Sequence, residues 1–115
     1  MTTRNEQITL TRGDSLIMTH DVTLSTGSVV DISGSTPYFT VSTTKDRTTD
    51  VDVTLQKEGV LTDATNGECT FTLTPSETAI SSGVYYFDIE IHFSTTDVRT
   101  SMDGTFSIIN DVTKT

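Results

Sequence analysis

The sequence predicts an all-β domain, and three observations support that prediction. Threonine is the commonest residue, with serine and valine also abundant, and such side chains suit a pleated, half-solvated surface and disfavour helix. Apolar and polar residues alternate through several short segments, and clusters of Gly, Asn, Asp and Ser separate those segments. Seven to nine short strands joined by turns predict an antiparallel β-sandwich.

The first half of the chain contains five predicted strands. Ile8 and Leu10 share one face of the first, and the second carries Leu16 and Met18 in a row that also includes His20. We expect His20 at a rim or bulge rather than as a metal ligand, because no second His or Cys shares its spacing. The predicted strands span residues 7–12, 15–24, 29–33, 36–43 and 51–57.

The second half continues the pattern after turns at 57–60 and 62–68, where Asn66-Gly67 is a strong hairpin signal. Residues 75–83 are compatible with one helical or 3₁₀ turn, since Pro75 suits the first helical position. Further strands are predicted at 69–74, 84–93, 98–104 and 105–109. The 84–93 strand is the clearest, and its inward row is Tyr85, Phe87, Ile89, Ile91 and Phe93.

Length and charge limit the organisation and the partners. The 115 residues fit one domain, expected at 7–110 between polar tails at 1–6 and 111–115. The net charge is −9 and the seven Lys and Arg residues are scattered, which argues against nucleic acid and anionic membranes as partners. The first residues, MTTRNEQ, lack the apolar run of a secretory signal, and no stretch reaches transmembrane length.

Cys69 is the only cysteine, so it cannot form a disulfide within the chain. The alternation of the segment ECTFTL places it on the same face as Phe71 and Leu73. We therefore expect a small buried core residue; a reactive free thiol or a bridge between chains is the alternative.

The tripeptide Arg12-Gly13-Asp14 has two interpretations. In some extracellular proteins this sequence binds integrins. Here it lies between two predicted strands, where Gly13 can adopt a positive φ and Asp14 can cap the turn. The turn interpretation is favoured over receptor binding.

Two outward rows are candidate interfaces: Thr70, Thr72 and Thr74, and then Tyr86, Asp88, Glu90 and His92. Residues two apart on a strand are about 6.6 Å apart, a spacing compatible with the carboxylate pair of a glycoside hydrolase. Nothing in the sequence indicates a cleft over them, so a solvated or subunit-facing surface is favoured.

No metal, cofactor or catalytic frame is predicted. Oxygen ligands could gather from Asp46, Asp50 and Asp52, or from Asp63, Asn66 and Glu68, but neither group matches a calcium-binding loop. No nucleophile–base pair, phosphate-binding loop or zinc spacing is present either. We therefore do not expect an enzyme.

Several short motifs recur in an order typical of a known family. They are Arg12-Gly13-Asp14-Ser15, Val30-Asp31-Ile32-Ser33-Gly34, Leu73 to Thr78, Gly83-Val84-Tyr85, and Gly104 to Ile108. Together they resemble the N-terminal domain of phage baseplate upper proteins and related immunoglobulin-like domains of phage virion proteins. The resemblance covers about residues 6–112. Baseplate upper proteins continue into an attachment region for receptor-binding proteins, which has no counterpart in this sequence.

The resemblance implies an immunoglobulin-like sandwich that serves as a structural protein of a phage particle, in the tail, baseplate, neck, fibre attachment or capsid decoration. Its expected partners are other virion proteins, in a symmetric homo-oligomer, and its expected location is the virion. A sugar- or receptor-binding module, using the Arg12-Gly13-Asp14 turn or the 86–92 face, is the alternative. A hydrolase that uses a pair of acidic residues is the third and least favoured interpretation.

Overall fold

The computed structural model describes residues 4–44 and 53–110. These residues form two β-sheets, so the all-β prediction is confirmed. The strands are β1 (Arg4–Thr11), β2 (Leu16–Asp21), β3 (Thr36–Ser42), β4 (Val53–Glu58), β5 (Val60–Asp63), β6 (Glu68–Leu73), β7 (Gly83–His92) and β8 (Val98–Ile109). Residues 4–6, which the sequence assigned to a polar tail, are thus part of β1.

The five-stranded sheet has the order β1-β8-β7-β3-β4, and the three-stranded sheet has the order β2-β6-β5. All the strand pairs are antiparallel except β1 and β8, which run parallel. The expectation of a purely antiparallel sandwich is therefore wrong at this edge. Alternation along a single strand cannot reveal it, because a strand's own pattern is the same whichever way its neighbour runs.

Gly104 makes this parallel contact geometrically feasible. It lies inside β8, which the sequence divided at this glycine into two strands, and its φ is +153°. A Cβ placed there would lie 1.7 Å from the carbonyl oxygen of Glu6 in β1. The glycine therefore continues β8 while leaving room for β1 beside it.

One predicted connection differs from the structure, whereas the hairpin predicted at Asn66-Gly67 is confirmed, because β5 and β6 pair antiparallel on either side of it. The turn expected at 57–60 is a single residue, Gly59, where the chain passes from β4 in one sheet to β5 in the other. Residues 64–66 then form a 3₁₀ turn that ends at Gly67, which has a φ of +77°. β5 is short and ends in a bulge between Leu61 and Asp63, so its alternation is too brief to stand out in the sequence.

The strand predicted at 29–33 is absent; only an isolated bridge joins Thr23 to Val29. Asp31 instead forms a local turn, in which its Oδ1 accepts bonds from the Ser33 hydroxyl at 2.6 Å and the Ser33 backbone N–H at 2.9 Å. Those two bonds, the hydroxyl first, lower the pKa of Asp31. An aspartate that bonds the backbone two residues ahead competes with strand pairing.

The core lies between the two sheets and is centred on Phe39. Its ring lies 5.4 Å from that of Phe87, 5.8 Å from that of Phe106, and 5.9 Å from that of Phe71 in the opposite sheet. The buried apolar residues are Val22, Ile32, Phe39, Val41, Cys69, Phe71, Leu73, Phe87, Ile89, Ile91, Met102, Phe106 and Ile108. The inward row predicted for β7 is buried at its centre, while Tyr85 and Phe93 are half-buried at its ends.

His20 is buried in this core, not at a rim as expected. Its Nε2 lies 2.7 Å from the hydroxyl oxygen of Ser101 on the opposite sheet. The register between β7 and β8 shifts at Ile89, and the extra residue in β8 leaves Ser101 and Met102 both buried. The irregularity thus supplies a polar partner that the alternation pattern does not predict.

Cys69 is buried as predicted and pairs with His20 across β6 and β2. Burial, and after it the nearby carboxylates of Asp21 and Glu68, raises the pKa of its thiol to about 12. At neutral pH the sulfur is therefore a protonated core group.

The 74–78 segment forms a turn with a reciprocal cap. The Thr74 backbone N–H donates to Glu77 Oε1 at 2.9 Å, and the Glu77 N–H donates to the Thr74 hydroxyl at 3.4 Å. Lys57 also lies 3.1 Å from Glu77 Oε2. The bond from the Thr74 backbone, followed by the bonds from Lys57 and the Thr74 hydroxyl, lowers the pKa of Glu77.

Candidate binding surface on the five-stranded sheet

The Arg12-Gly13-Asp14 segment lies in the turn that carries the chain from β1 in one sheet to β2 in the other. The Asp14 N–H donates to the Thr11 carbonyl at 3.0 Å, and Gly13 has a φ of +84°. Arg12 Nε donates to the carbonyl of Ile80 at 3.0 Å. The hydroxyl of Thr78 donates to the Asp14 carbonyl at 2.7 Å. The turn is therefore tied at both its ends to the 78–80 segment.

A polar row crosses the whole outer face of the five-stranded sheet, one residue per strand. The strand registers align the five residues directly. The Asn5 amide donates to Asp103 Oδ1 at 2.9 Å, and the Gln56 amide donates to the Thr40 hydroxyl at 3.1 Å. From β1 to β4 the row is Asn5, Asp103, Asp88, Thr40 and Gln56. Sequence alternation placed Asp88 on this face but could not supply its cross-strand neighbours.

Glu90 and His92 lie beside this row. The Nε2 of His92 is 3.1 Å from Oε1 of Glu90, and the His92 ring meets the Tyr38 ring edge-on at 4.7 Å between centroids. Tyr38 lies directly opposite Glu90 in the register. Glu90 and His92 therefore face each other and Tyr38, at one end of the outer face.

A depression of about 500 Å³ covers the centre of this face. The side chains of Tyr86, Asp88 and Glu90 are half-buried within it. Its lining residues are Asn5, Thr40, Ser42, Thr44, Tyr86, Phe87, Asp88, Glu90, Thr100, Asp103, Gly104 and Thr105. Alternation along single strands does not predict this depression, because most of its lining residues come from four different strands.

Asp88 and Asp103 are directly opposite each other in the register of β7 and β8. Like charges that lie directly opposite each other on paired strands are destabilising. Side chains paired directly across two strands have Cβ atoms about 4.5–5.5 Å apart. The carboxylate pair whose spacing best fits a glycoside hydrolase pair is therefore Asp88 with Asp103. The sequence had suggested Asp88 with Glu90 for this pair.

The outer face of the three-stranded sheet is different in character. Thr70 lies at its centre, with its hydroxyl oxygen 3.4 Å from that of Thr19 and 3.3 Å from that of Thr62. Ile17 and Val60 flank these threonines and are 72% and 65% exposed. Thr72 is exposed opposite Ile17, whereas Thr74 belongs to the Glu77 turn. This face thus combines threonine hydroxyls with exposed apolar side chains.

The acidic groups considered for a metal do not form a site in residues 4–44 and 53–110, where no cluster of three or more His, Cys, Asp or Glu could hold an ion. Asp63 accepts a bond from the Asn66 amide at 3.0 Å, and Glu68 accepts one from Thr62 at 2.8 Å. Asp46, Asp50 and Asp52 lie outside the described residues. In the same ranges no helix is long and apolar enough to cross a membrane.

Comparison with known proteins identifies no family. No protein-family model matches the sequence, and no curated protein matches it. Among solved structures, the chain is similar to a family 123 glycoside hydrolase from Clostridium perfringens that was studied for glycolipid glycan hydrolysis, with a TM-score of 0.41 and 13% identity. The match covers 97% of this chain but spans only 24% of the hydrolase chain.

Proposed function

We propose that this protein is a structural subunit of a bacteriophage particle that acts by protein–protein assembly, and that its two sheets form an immunoglobulin-like sandwich. The motif order from Arg12 to Ile108 supports the family assignment. The two packed sheets are consistent with the proposed sandwich.

One observation carries the assembly proposal: the outer face of the three-stranded sheet exposes Ile17 and Val60 around Thr70 and Thr72. Exposed apolar groups beside short polar side chains suit burial against another protein. β2 and β5 are also the edges of that sheet, and an open edge can pair with a strand from a neighbour. This face is the proposed contact with other subunits.

Receptor binding through Arg12-Gly13-Asp14 is less favoured. The Arg12 guanidinium already donates to the Ile80 carbonyl, which reduces its availability to an acidic receptor group. Loss of integrin binding in an Asp14→Glu variant would be required to support the receptor hypothesis.

An acidic-pair hydrolase is the least favoured function. Such enzymes keep one carboxyl protonated by surrounding it with apolar groups. Asp88 and Asp103 lie instead among hydroxyl and amide groups.

The proposal is tested on purified particles of the source phage. High-resolution imaging should locate the chain in many symmetric copies, with Ile17 and Val60 covered by a neighbour. An Ile17→Lys/Val60→Lys double variant should fold but be excluded from particles. Val84→Lys is the matched control, because Val84 is also 65% exposed but lies on the other sheet. A chain found only free in lysate, or a double variant incorporated normally, would reject the proposal.

A further inference from the structure

The depression on the five-stranded sheet is chemically unlike the proposed assembly face. Its volume of about 500 Å³ falls in the range of small-molecule sites, ~300–1,000 Å³. Hydroxyl, carboxylate and amide groups line it together with the half-buried side chain of Tyr86. Phe87 is also a lining residue, but its ring is buried and stacks on Phe39 in the core. Such a lining offers many hydrogen bonds and one apolar plane.

We propose that this depression binds a neutral saccharide. The Asp88, Asp103 and Glu90 carboxylates are acceptors for ligand hydroxyl groups, and hydrogen bonds to charged acceptors are the stronger kind. The Tyr86 ring offers an apolar surface on which the C–H side of a sugar ring can pack, while its own hydroxyl stays available.

The lining excludes other ligand classes. Among the residues that the structure describes, none that lines the depression is Lys, Arg or His, so the carboxylates would repel a phosphate, a sulfate or sialic acid with no basic lining residue to offset that repulsion. A bare cation is disfavoured because the described residues contain no group of three ligands able to hold one. A purely apolar ligand would leave the carboxylates without water. A polyhydroxylated, uncharged ligand satisfies the carboxylates without adding charge.

The polar groups are held in place before a ligand arrives. Asn5 fixes Asp103 from β1, and Gln56 fixes Thr40 from β4. All four residues lie on paired strands, so their side chains lose little conformational entropy when a ligand binds.

The test uses the full chain on an array of neutral, sialylated and sulfated glycans, followed by calorimetric titration with the best neutral glycan. Binding should be confined to neutral glycans. Asp103→Asn and Tyr86→Ala should each weaken it by about tenfold or more. Asp97→Asn is the control, because Asp97 pairs with Arg99 outside the depression and its change removes the same charge. It should bind like the original chain.

A second measurement does not depend on variants. Titration of the isotopically labelled original chain with the same glycan should shift backbone amide resonances of β3, β7 and β8 around Thr40, Asp88 and Asp103. An array with no neutral glycan bound, a preference for sialylated or sulfated glycans, or shifts confined to the three-stranded sheet would overturn the proposal. The result does not depend on assembly, which uses the other sheet.

Discussion

Replacing Gly104 with alanine should weaken the pairing of β1 with β8. The effect should be larger than the backbone strain that any non-glycine residue causes at this φ. The new Cβ would lie 1.7 Å from the Glu6 carbonyl oxygen and 2.8 Å from the Glu6 carbonyl carbon. Ordinary contact begins at 3.4 Å, so β1 would have to retreat by about 1.7 Å from β8. A displacement of that size disrupts the hydrogen bonds between the two strands at this point.

The loss of stability has two contributions, backbone strain and lost hydrogen bonds. A non-glycine residue at a φ of +153° costs about 1–3 kcal/mol in backbone strain. Disrupting one or two strand hydrogen bonds, at about 0.5–1.5 kcal/mol each, adds about 0.5–3 kcal/mol. The free energy of unfolding should therefore fall by about 1.5–6 kcal/mol, and each kcal/mol corresponds to a drop in Tm of roughly 4 °C in a domain of this size.

A Gly83→Ala variant separates the backbone strain from the loss of hydrogen bonds. Gly83 has nearly the same φ, +151°, but a Cβ there meets nothing within 4 Å. Urea denaturation should show that Gly83→Ala loses only the strain, about 1–3 kcal/mol. Hydrogen exchange should show faster exchange of β1 amides in Gly104→Ala alone. Equal losses in the two variants, with β1 still protected in both, would refute the close contact between Gly104 and Glu6.

Three further predictions concern buried or paired groups. Ser101→Ala should lower the free energy of unfolding by about 1–3 kcal/mol in urea denaturation, because it removes the buried partner of His20; a neutral effect would contradict that interaction. Cys69 should react with a thiol reagent at pH 8 only after unfolding, because burial first and then nearby carboxylates raise its pKa to about 12; rapid labelling of the folded chain would contradict this. Folding lowers the pKa of Glu77 below its usual value of 4.5. The stabilisation that the Glu77 carboxylate contributes should therefore be complete above pH 4.5, and it should be lost as the pH falls through the lower pKa of the folded state. Urea midpoints measured between pH 7 and pH 3 should therefore fall less on acidification in Glu77→Gln than in the original chain, and identical profiles would contradict the assignment.

Alternation predicted the parts of the fold that depend on one strand at a time. The inward centre of β7, with Phe87 and Ile89, follows from a period of two. The same rule placed Asp88 and Glu90 outward. These features require no knowledge of neighbouring strands.

Features that depend on how strands meet were not predictable in this way. Asp103 is a neighbour of Asp88 only through the register of β7 and β8. Ser101 reaches the core because of a bulge, and Gly59 changes sheets within one residue. Each depends on contacts between residues far apart in sequence, which a local pattern does not encode.

The parallel pairing of β1 with β8 also has a mechanical consequence. Arg4, at the start of β1, lies beside Met102, and Thr11 lies beside Ile109 at the end of β8. A pull applied to the two ends of the described chain therefore slides these strands past each other along their length. All eight paired positions share the load together, whereas a hairpin pulled open at its ends breaks its bonds one after another. We expect the domain to resist stretching along this axis more strongly than its equilibrium stability alone would indicate, because forced unfolding is governed by the rate of unfolding and not by the equilibrium.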